Sequence, residues 1–449
     1  MYVYNINKLP LRNMNGGVKK LQNTGGTLMQ HYFTNKTNFY GNTTPQELIK
    51  EYGSPLYVYN ENILRQRCKD MVNFIPYKNY RVNYSTKANA NLELLKIIRE
   101  EGLDADAMSP GEIHVLLSAG FLPEQIFYIG NNVSAEEMMF AYNKGITVSI
   151  DSLSQLKKFG QHNPGGKVAV RINPGLGVGH HEKVITGGKH TKFGINSDLV
   201  PEIKKLLKAY ELKLVGINQH IGSLFMNGEQ YFKSIKEILK LAEEFEDLNF
   251  IDMGGGFGIP YKKQDGEEPL NLKVLGEKIG DLLNKWASLN NPNIRFISEP
   301  GRYIVAECGV LLGTIHAKKK NNGICYTGTD IGFNVLARPM FYGAWHDIEI
   351  YPLNGGVVPL AMETVTVVGN ICESGDIIAA NRQLPLHKEG DIIGITDAGA
   401  YGYSMSSNYN NRLRPAEVLI QSDGSHRLIR RRDTLDDLLR NFTGNCLSC

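Results

Sequence analysis

The sequence predicts a parallel (β/α)8 TIM barrel followed by a C-terminal, mainly-β domain of Greek-key-like character. Three observations carry that expectation. Eight short apolar runs are separated by amphipathic stretches, chemistry-bearing residues follow several of those runs directly, and the texture changes after Arg302.

Taken in order, residues 1–35 mix Asn, Lys and Gly with single apolar residues. They read as a leader without regular structure, since a signal peptide needs a continuous apolar core. Residues 36–59 and 306–449 are expected to make the β domain, with 55–59 (PLYVY) joining its sheet, and residues 60–305 the barrel. The strand candidates of the barrel are 80–84, 103–108, 125–129, 146–150, 167–172, 214–219, 249–253 and 294–297. Amphipathic stretches such as 91–101, 111–119 and 231–245 lie between them. Eight regular units favour a closed barrel over an open doubly wound sheet. The long segment 174–194 (PGLGVGHHEKVITGGKHTKFG) reads as a lid or binding loop. After Arg302, β-rich runs occur at 310–317, 323–327, 364–368, 391–396 and 418–420, with Asp423-Gly424 as a hairpin turn. Lys318–Lys320 with Asn321-Asn322-Gly323 reads as a solvated turn, and 430–432 (RRR) as a wet face.

Composition narrows the function. The chain has 449 residues, enough for two cores, and a formal charge of only +3. That charge argues for a small-molecule site rather than nucleic acid or a membrane surface. No apolar run reaches the roughly 18 residues of a membrane helix, and a cytoplasmic protein is expected. Cys68, Cys308, Cys325, Cys372, Cys446 and Cys449 are too scattered for a disulfide framework. The terminal Cys446 and Cys449 form a lone C-x-x-C without visible partners, so no metal is expected.

The residues placed after the strands are Lys87, Ser109, Asn131, Asp151, Asn173, His220, Gly254–Gly256 and Glu299. Barrel enzymes carry their chemistry at that end. A polar residue there is usually a turn former, but a lysine, a histidine, a glycine run and a glutamate exceed turn chemistry. A desolvated lysine at the mouth has a lowered pKa and can form a Schiff base, which makes Lys87 a candidate. The segment 252–258 (DMGGGFG) lets backbone N–H groups approach a phosphate without Cβ interference. In 298–302 (SEPGR), Glu299 could hold a pyridine nitrogen protonated, and Arg302 could fork onto a phosphate or carboxylate. His220, in HIGS, could stack on a planar ring. In 372–376 (CESGD), the Cys372 thiol could deliver a proton to a carbanion, and Glu373 could pair with an ammonium.

Together these segments resemble the alanine-racemase-like pyridoxal-phosphate (PLP) enzymes, and within them the diaminopimelate decarboxylase family. The resemblance runs from about residue 40 to the C-terminus through YSTKAN, DADAMSPGE, GGKHTKFGI, HIGS, GGGFG, EPGR, RPMFY, CESGD, DAGAYG and SNYNNRLRPAEV. It implies pyridoxal 5'-phosphate carried on Lys87. The other cofactor contacts it implies are Asp106, His220, Ser223, Gly255, Gly256, Gly258, Glu299, Gly301, Arg302 and Tyr401. Arg302, Arg338, Tyr342, Glu373 and Tyr401 match the substrate-binding positions. Lys87, Cys372, His220 and Glu299 match the catalytic ones, with Cys372 as proton donor. Homodimers with shared active sites follow from the same resemblance, so Cys372 and Glu373 would reach into a partner's barrel. Departures are small: Ser85-Thr86 stands where alanine-containing variants are common, and Phe341 where leucine often stands.

The activity implied is decarboxylation of meso-2,6-diaminopimelate to L-lysine, the last step of lysine biosynthesis. Two arginines suit a distal carboxylate, and an empty pair of buried arginines would oppose lysine as substrate. A related decarboxylase of another carboxylated, carrier-linked or basic amino acid would keep most of these motifs. A racemase would need a second base that CESGD does not suggest, and a non-catalytic regulator would be expected to lose Lys87 or Cys372.

Overall fold

The computed structural model describes residues 32–175, 178–179, 188 and 191–443. Eight strands form the barrel: Tyr80–Ser85, Asp104–Ala107, Ile126–Tyr128, Thr147–Ile150, Lys167–Asn173, Lys213–Asn218, Phe250–Asp252 and Arg295–Ser298. Each pairs in parallel with the next. The eighth pairs back with the first through Phe296 and Tyr80, Ile297 and Arg81, and Ser298 and Val82, which closes the ring. The strand runs read from sequence coincide closely with these. In Lys167–Asn173 every residue after the first is buried, because one face fills the barrel and the other lies under helices.

The outer helices begin where small polar side chains can cap them. Ser109 accepts from the Glu112 N–H, Ser152 from Gln155 and Asn91 from Glu93. Their inward faces follow helical spacing. In Glu229–Ala242 the buried residues are Tyr231, Ser234, Ile235, Ile238, Leu239 and Ala242. Each large apolar side chain so buried contributes about 1.5–3 kcal/mol. A charge at Ile235, which is fully buried, would therefore detach this helix from the barrel.

The second sheet has nine strands and draws on both ends of the chain. Leu56–Asn60 lies between Gly309–Asn321, to which it is antiparallel, and Ala416–Ile420, to which it is parallel. All five of its residues are buried. Asp423-Gly424 turns Ala416–Ile420 into His426–Arg430. Asn322 and Gly323, with φ of 48° and 83°, turn Gly309–Asn321 into Ile324–Thr329, the left-handed pair that a tight hairpin requires.

Several expectations change. Lys318–Lys320 belong to the strand rather than the turn, and Lys318 pairs with Glu363. Arg430 pairs with the fully buried Glu417, and Arg432 donates to the Pro55 carbonyl at 2.6 Å, so this stretch is a structural brace rather than a wet face. Strands Ile348–Tyr351, Ile377–Pro385 and His426–Arg430 went unread, because buried Glu349 and Arg382 and the flanking arginines break their apolar pattern. The leader expectation fails at its end. Thr34 is buried and donates to Glu349 at 2.5 Å, and Tyr32 packs beside Tyr351. Residues 1–31, most of the 174–194 loop, and Cys446 and Cys449 lie outside the described residues. Among the described residues no helix is long and apolar enough to cross a membrane.

Candidate active site

The C-terminal ends of the barrel strands meet the second sheet around a cavity of about 200 Å3. Lys87 lines it from the turn after the first strand, His220 from the sixth and Glu299 from the eighth. Gly256 and Phe257 come from the glycine run, and Ser223, Gly301 and Arg302 complete the barrel side. Arg338, Tyr342 and Tyr401 close it from the second domain. A larger cavity of about 820 Å3 lies against the other sheet, around Ser54, His316 and Arg432, and holds none of these groups. Convergent ionisable side chains, not volume, mark the smaller one as the reactive site.

Backbone geometry builds the wall. Gly254 and Gly256 have φ of 75° and 110°. The Asp252 carboxylate accepts the Gly254 N–H at 2.8 Å and holds the turn. A Cβ on Gly255 would collide with the Glu299 carbonyl, and one on Gly256 would come within 2.7 Å of the Gly222 carbonyl. The glycine run is thus a tightly packed surface of bare backbone, not a loose turn.

The electrostatics centre on one carboxylate. The Gly255 N–H donates to His220 Nδ1 at 3.3 Å. Burial pushes the His220 pKa down. Glu299 Oε2 lies 3.7 Å from the same nitrogen. Burial acts to raise the Glu299 carboxyl, but its contacts with His220 and Asp252, and the Lys87 charge, outweigh it and hold the group below the ordinary range. Burial first, and then the Glu299 charge, push Asp106 well up. Asp106 accepts from Ser85 at 2.8 Å on one oxygen. Lys87 departs from expectation. Burial does act to lower it, yet Asp106, Tyr401 and Glu299 prevail and the net shift is upward. The sequence shows the desolvation but not the acids gathered around it.

Three buried atoms here have no hydrogen-bond partner among the described residues: Asp106 Oδ1, Glu299 Oε1 and Arg302 Nε. Leaving such atoms unpaired costs about 1–3 kcal/mol each, more when charged. Their chemistry, an acceptor for a protonated ring nitrogen and a cationic donor, fits a phosphorylated pyridine beside a lysine. Asp106, Gly255 and Gly258 stand behind the lining rather than in it.

The two arginines are held without being neutralised. Arg302 donates to the Tyr261 hydroxyl at 2.8 Å and to Ser223 at 3.0 Å. Arg338, 2% exposed, donates to His346 at 2.7 Å. Tyr261 and His346 were not foreseen, because neither belongs to a periodic pattern; their position beside GGGFG and RPMFY was the only signal.

Two residues were expected to serve a partner's barrel rather than this one. Cys372 and Glu373 are exposed and do not line this cavity. The Cys372 N–H donates to Asn410, and Glu373 accepts from Tyr409. Ser109 and Asp151 prove structural, one capping a helix and the other accepting the Gly194 N–H at 2.8 Å.

A barrel with a lysine, a carboxylate and a glycine wall at its mouth, closed by a β domain, defines the class of PLP-dependent decarboxylases. The family described as "Pyridoxal-dependent decarboxylase, pyridoxal binding domain" matches residues 61–306. The diaminopimelate decarboxylase of Methanothermobacter thermautotrophicus is 40% identical over 411 residues, 89% of this chain and 94% of that one. That of Escherichia coli is 34% identical, covering 88% and 96%. The structure of the Helicobacter pylori diaminopimelate decarboxylase complexed with L-lysine superposes with a TM-score of 0.80 at 31% identity, covering 88% of this chain and 98% of that one. The chain belongs to the diaminopimelate decarboxylase family.

Proposed function

We propose that this protein decarboxylates meso-2,6-diaminopimelate to L-lysine and CO2 with pyridoxal 5'-phosphate as cofactor, closing lysine biosynthesis in the cytoplasm. The observation that carries the substrate assignment is the buried arginine pair, whose hydrogen bonds go to the uncharged Tyr261, Ser223 and His346. Two cations without a carboxylate partner among the described residues ask for an anion, and a distal carboxylate supplies it. Lysine and ornithine have none.

Bound PLP supplies the electron sink into which the bond to the departing CO2 empties. Lys87, at the mouth of the cavity, is the residue that would hold the cofactor covalently. Glu299, whose Oε1 is free to accept, would keep a pyridine nitrogen protonated, and His220 would pack against the ring. Gly256, Gly301 and Ser223, which line the cavity, would take the phosphate, with Gly255 and Gly258 shaping the backbone behind them, Asp106 buried behind Lys87, and Tyr401 placed to meet cofactor and substrate. Arg302, Arg338 and Tyr342 hold the far carboxylate, which fixes the direction in which the substrate lies. A homodimer completes the site: Cys372 of the second copy protonates the α-carbon, and Glu373 of that copy pairs with the distal ammonium. Their exposure and their distance from the chain's own cavity support this arrangement.

The test is to supply PLP-loaded protein with meso-diaminopimelate and, separately, L-lysine, and to measure CO2 and product chirality. CO2 from the first and not the second is expected. Racemised product without CO2 would overturn the assignment in favour of a racemase.

A further inference from the structure

We propose that His346 and Tyr261 are positioning residues that preform the arginine pair into a clamp for the substrate's distal carboxylate. The proposal rests on the functional reading above and names what makes its specificity possible.

The tautomer of His346 follows from its partners. Its Nδ1 lies 2.8 Å from the Thr396 carbonyl oxygen, which can only accept, so Nδ1 carries the hydrogen. Its Nε2 lies 2.7 Å from Arg338 Nη1, which can only donate, so Nε2 offers the lone pair. Both ring nitrogens are thereby committed, and the ring is neutral. Its anchor is stiff, since the Thr396 N–H bonds the Asp347 carbonyl at 3.1 Å and the next residues, Ile395 and Ile348, pair in the sheet. Arg338 is thus tied to the sheet through one imidazole.

Tyr261 joins the second arginine to the first. Its ring centre lies 4.5 Å from the Arg338 guanidinium carbon, and its hydroxyl accepts from Arg302. It also meets His346 edge-on, with ring centres 5.2 Å apart at 80°. Tyr261 is 5% exposed and His346 4%, so neither is a solvent-facing rim residue.

The choice of neutral supports matters. Two buried guanidinium groups repel and would splay apart if left to themselves. A carboxylate between them would hold them but would occupy the site the substrate needs. A histidine lone pair, a π face and a phenol oxygen restrain both groups while leaving their charge uncancelled. Substrate binding then costs little reorganisation.

The test is a double-mutant cycle in the holoenzyme. His346→Phe keeps the ring and removes both hydrogen bonds. It should raise KM for meso-diaminopimelate about 10-fold to 100-fold, the worth of one charge-assisted hydrogen bond, with kcat and PLP affinity within about threefold. In an Arg338→Ala background the same change should alter KM less than about twofold. His346→Gln, which returns an acceptor near the Nε2 position, should recover most of the loss. Tyr261→Phe, which deletes one oxygen, should raise KM in the same sense and carries the test if His346→Phe does not fold. Equal KM penalties with and without Arg338, or an unchanged KM in both single variants, would overturn the proposal. A wild-type protein that releases no CO2 from meso-diaminopimelate would instead overturn the functional reading, so the two failures are distinguishable.

Discussion

The Tyr401 N–H donates to the Ala88 carbonyl at 2.8 Å, which fastens the β domain to the turn that carries Lys87. Ser404 donates to the same carbonyl at 3.1 Å, and Asn89 returns a bond to the Gly399 carbonyl at 2.9 Å. Tyr401 has a φ of 57°. A non-glycine residue in that region costs on the order of 1–3 kcal/mol and persists only where surrounding contacts impose it. The position of the lysine is therefore set partly by the other domain.

Gly399→Ala should loosen this junction, because a Cβ there would collide with the Val305 carbonyl. Overpacking of this kind costs about 1–3 kcal/mol or more. We expect a lowered melting temperature together with weakened PLP retention, followed by thermal unfolding and by the bound-cofactor absorbance.

Lys87→Ala should abolish both the visible absorbance of protein-bound cofactor and CO2 release. In the wild-type protein, borohydride reduction and peptide mass mapping should place the cofactor on Lys87. Retained turnover in the variant would remove the assignment of this lysine.

Arg338→Ala should weaken meso-diaminopimelate far more than PLP. Losing one member of a buried charged contact costs about 2–5 kcal/mol, so kcat/KM should fall by roughly 30-fold or more. Steady-state kinetics and a PLP titration separate the two effects. Equal losses would make Arg338 structural.

Mixing inactive Lys87→Ala with inactive Cys372→Ala should restore activity if each site uses residues from two chains. In a random dimer population, half the dimers are mixed and one of their two sites is intact, so about a quarter of wild-type activity should return. No recovery after exchange of subunits would place Cys372 outside the reaction.

His346 should make stability depend on pH. Burial, and then the Arg338 charge, hold its pKa well below the ordinary value of 6.5. The unfolded chain therefore binds a proton below about 6.5 that the folded chain refuses, so stability is intact above that pH and falls as pH drops beneath it. The loss should approach about 1.4 kcal/mol per pH unit for one such group. His346→Gln should flatten this part of the curve, as measured by urea unfolding at pH 5 to pH 7.

By itself the sequence determined the barrel strands and the order of the reactive segments. Those features depend on local causes: apolar periodicity, and glycines where no Cβ fits. It also pointed to Lys87, His220, Glu299 and Arg302, because barrel closure brings strand ends to one mouth whatever the helices outside are made of. Only the tertiary structure decided what surrounds them. The upward shift at Lys87 comes from acids on other strands and from Tyr401, more than 300 residues along the chain. The supports of the arginine pair, Tyr261 and His346, come from two different domains and share no spacing. Charge balance and tautomer are set by distances through space, and those exist only once the domains have closed on each other.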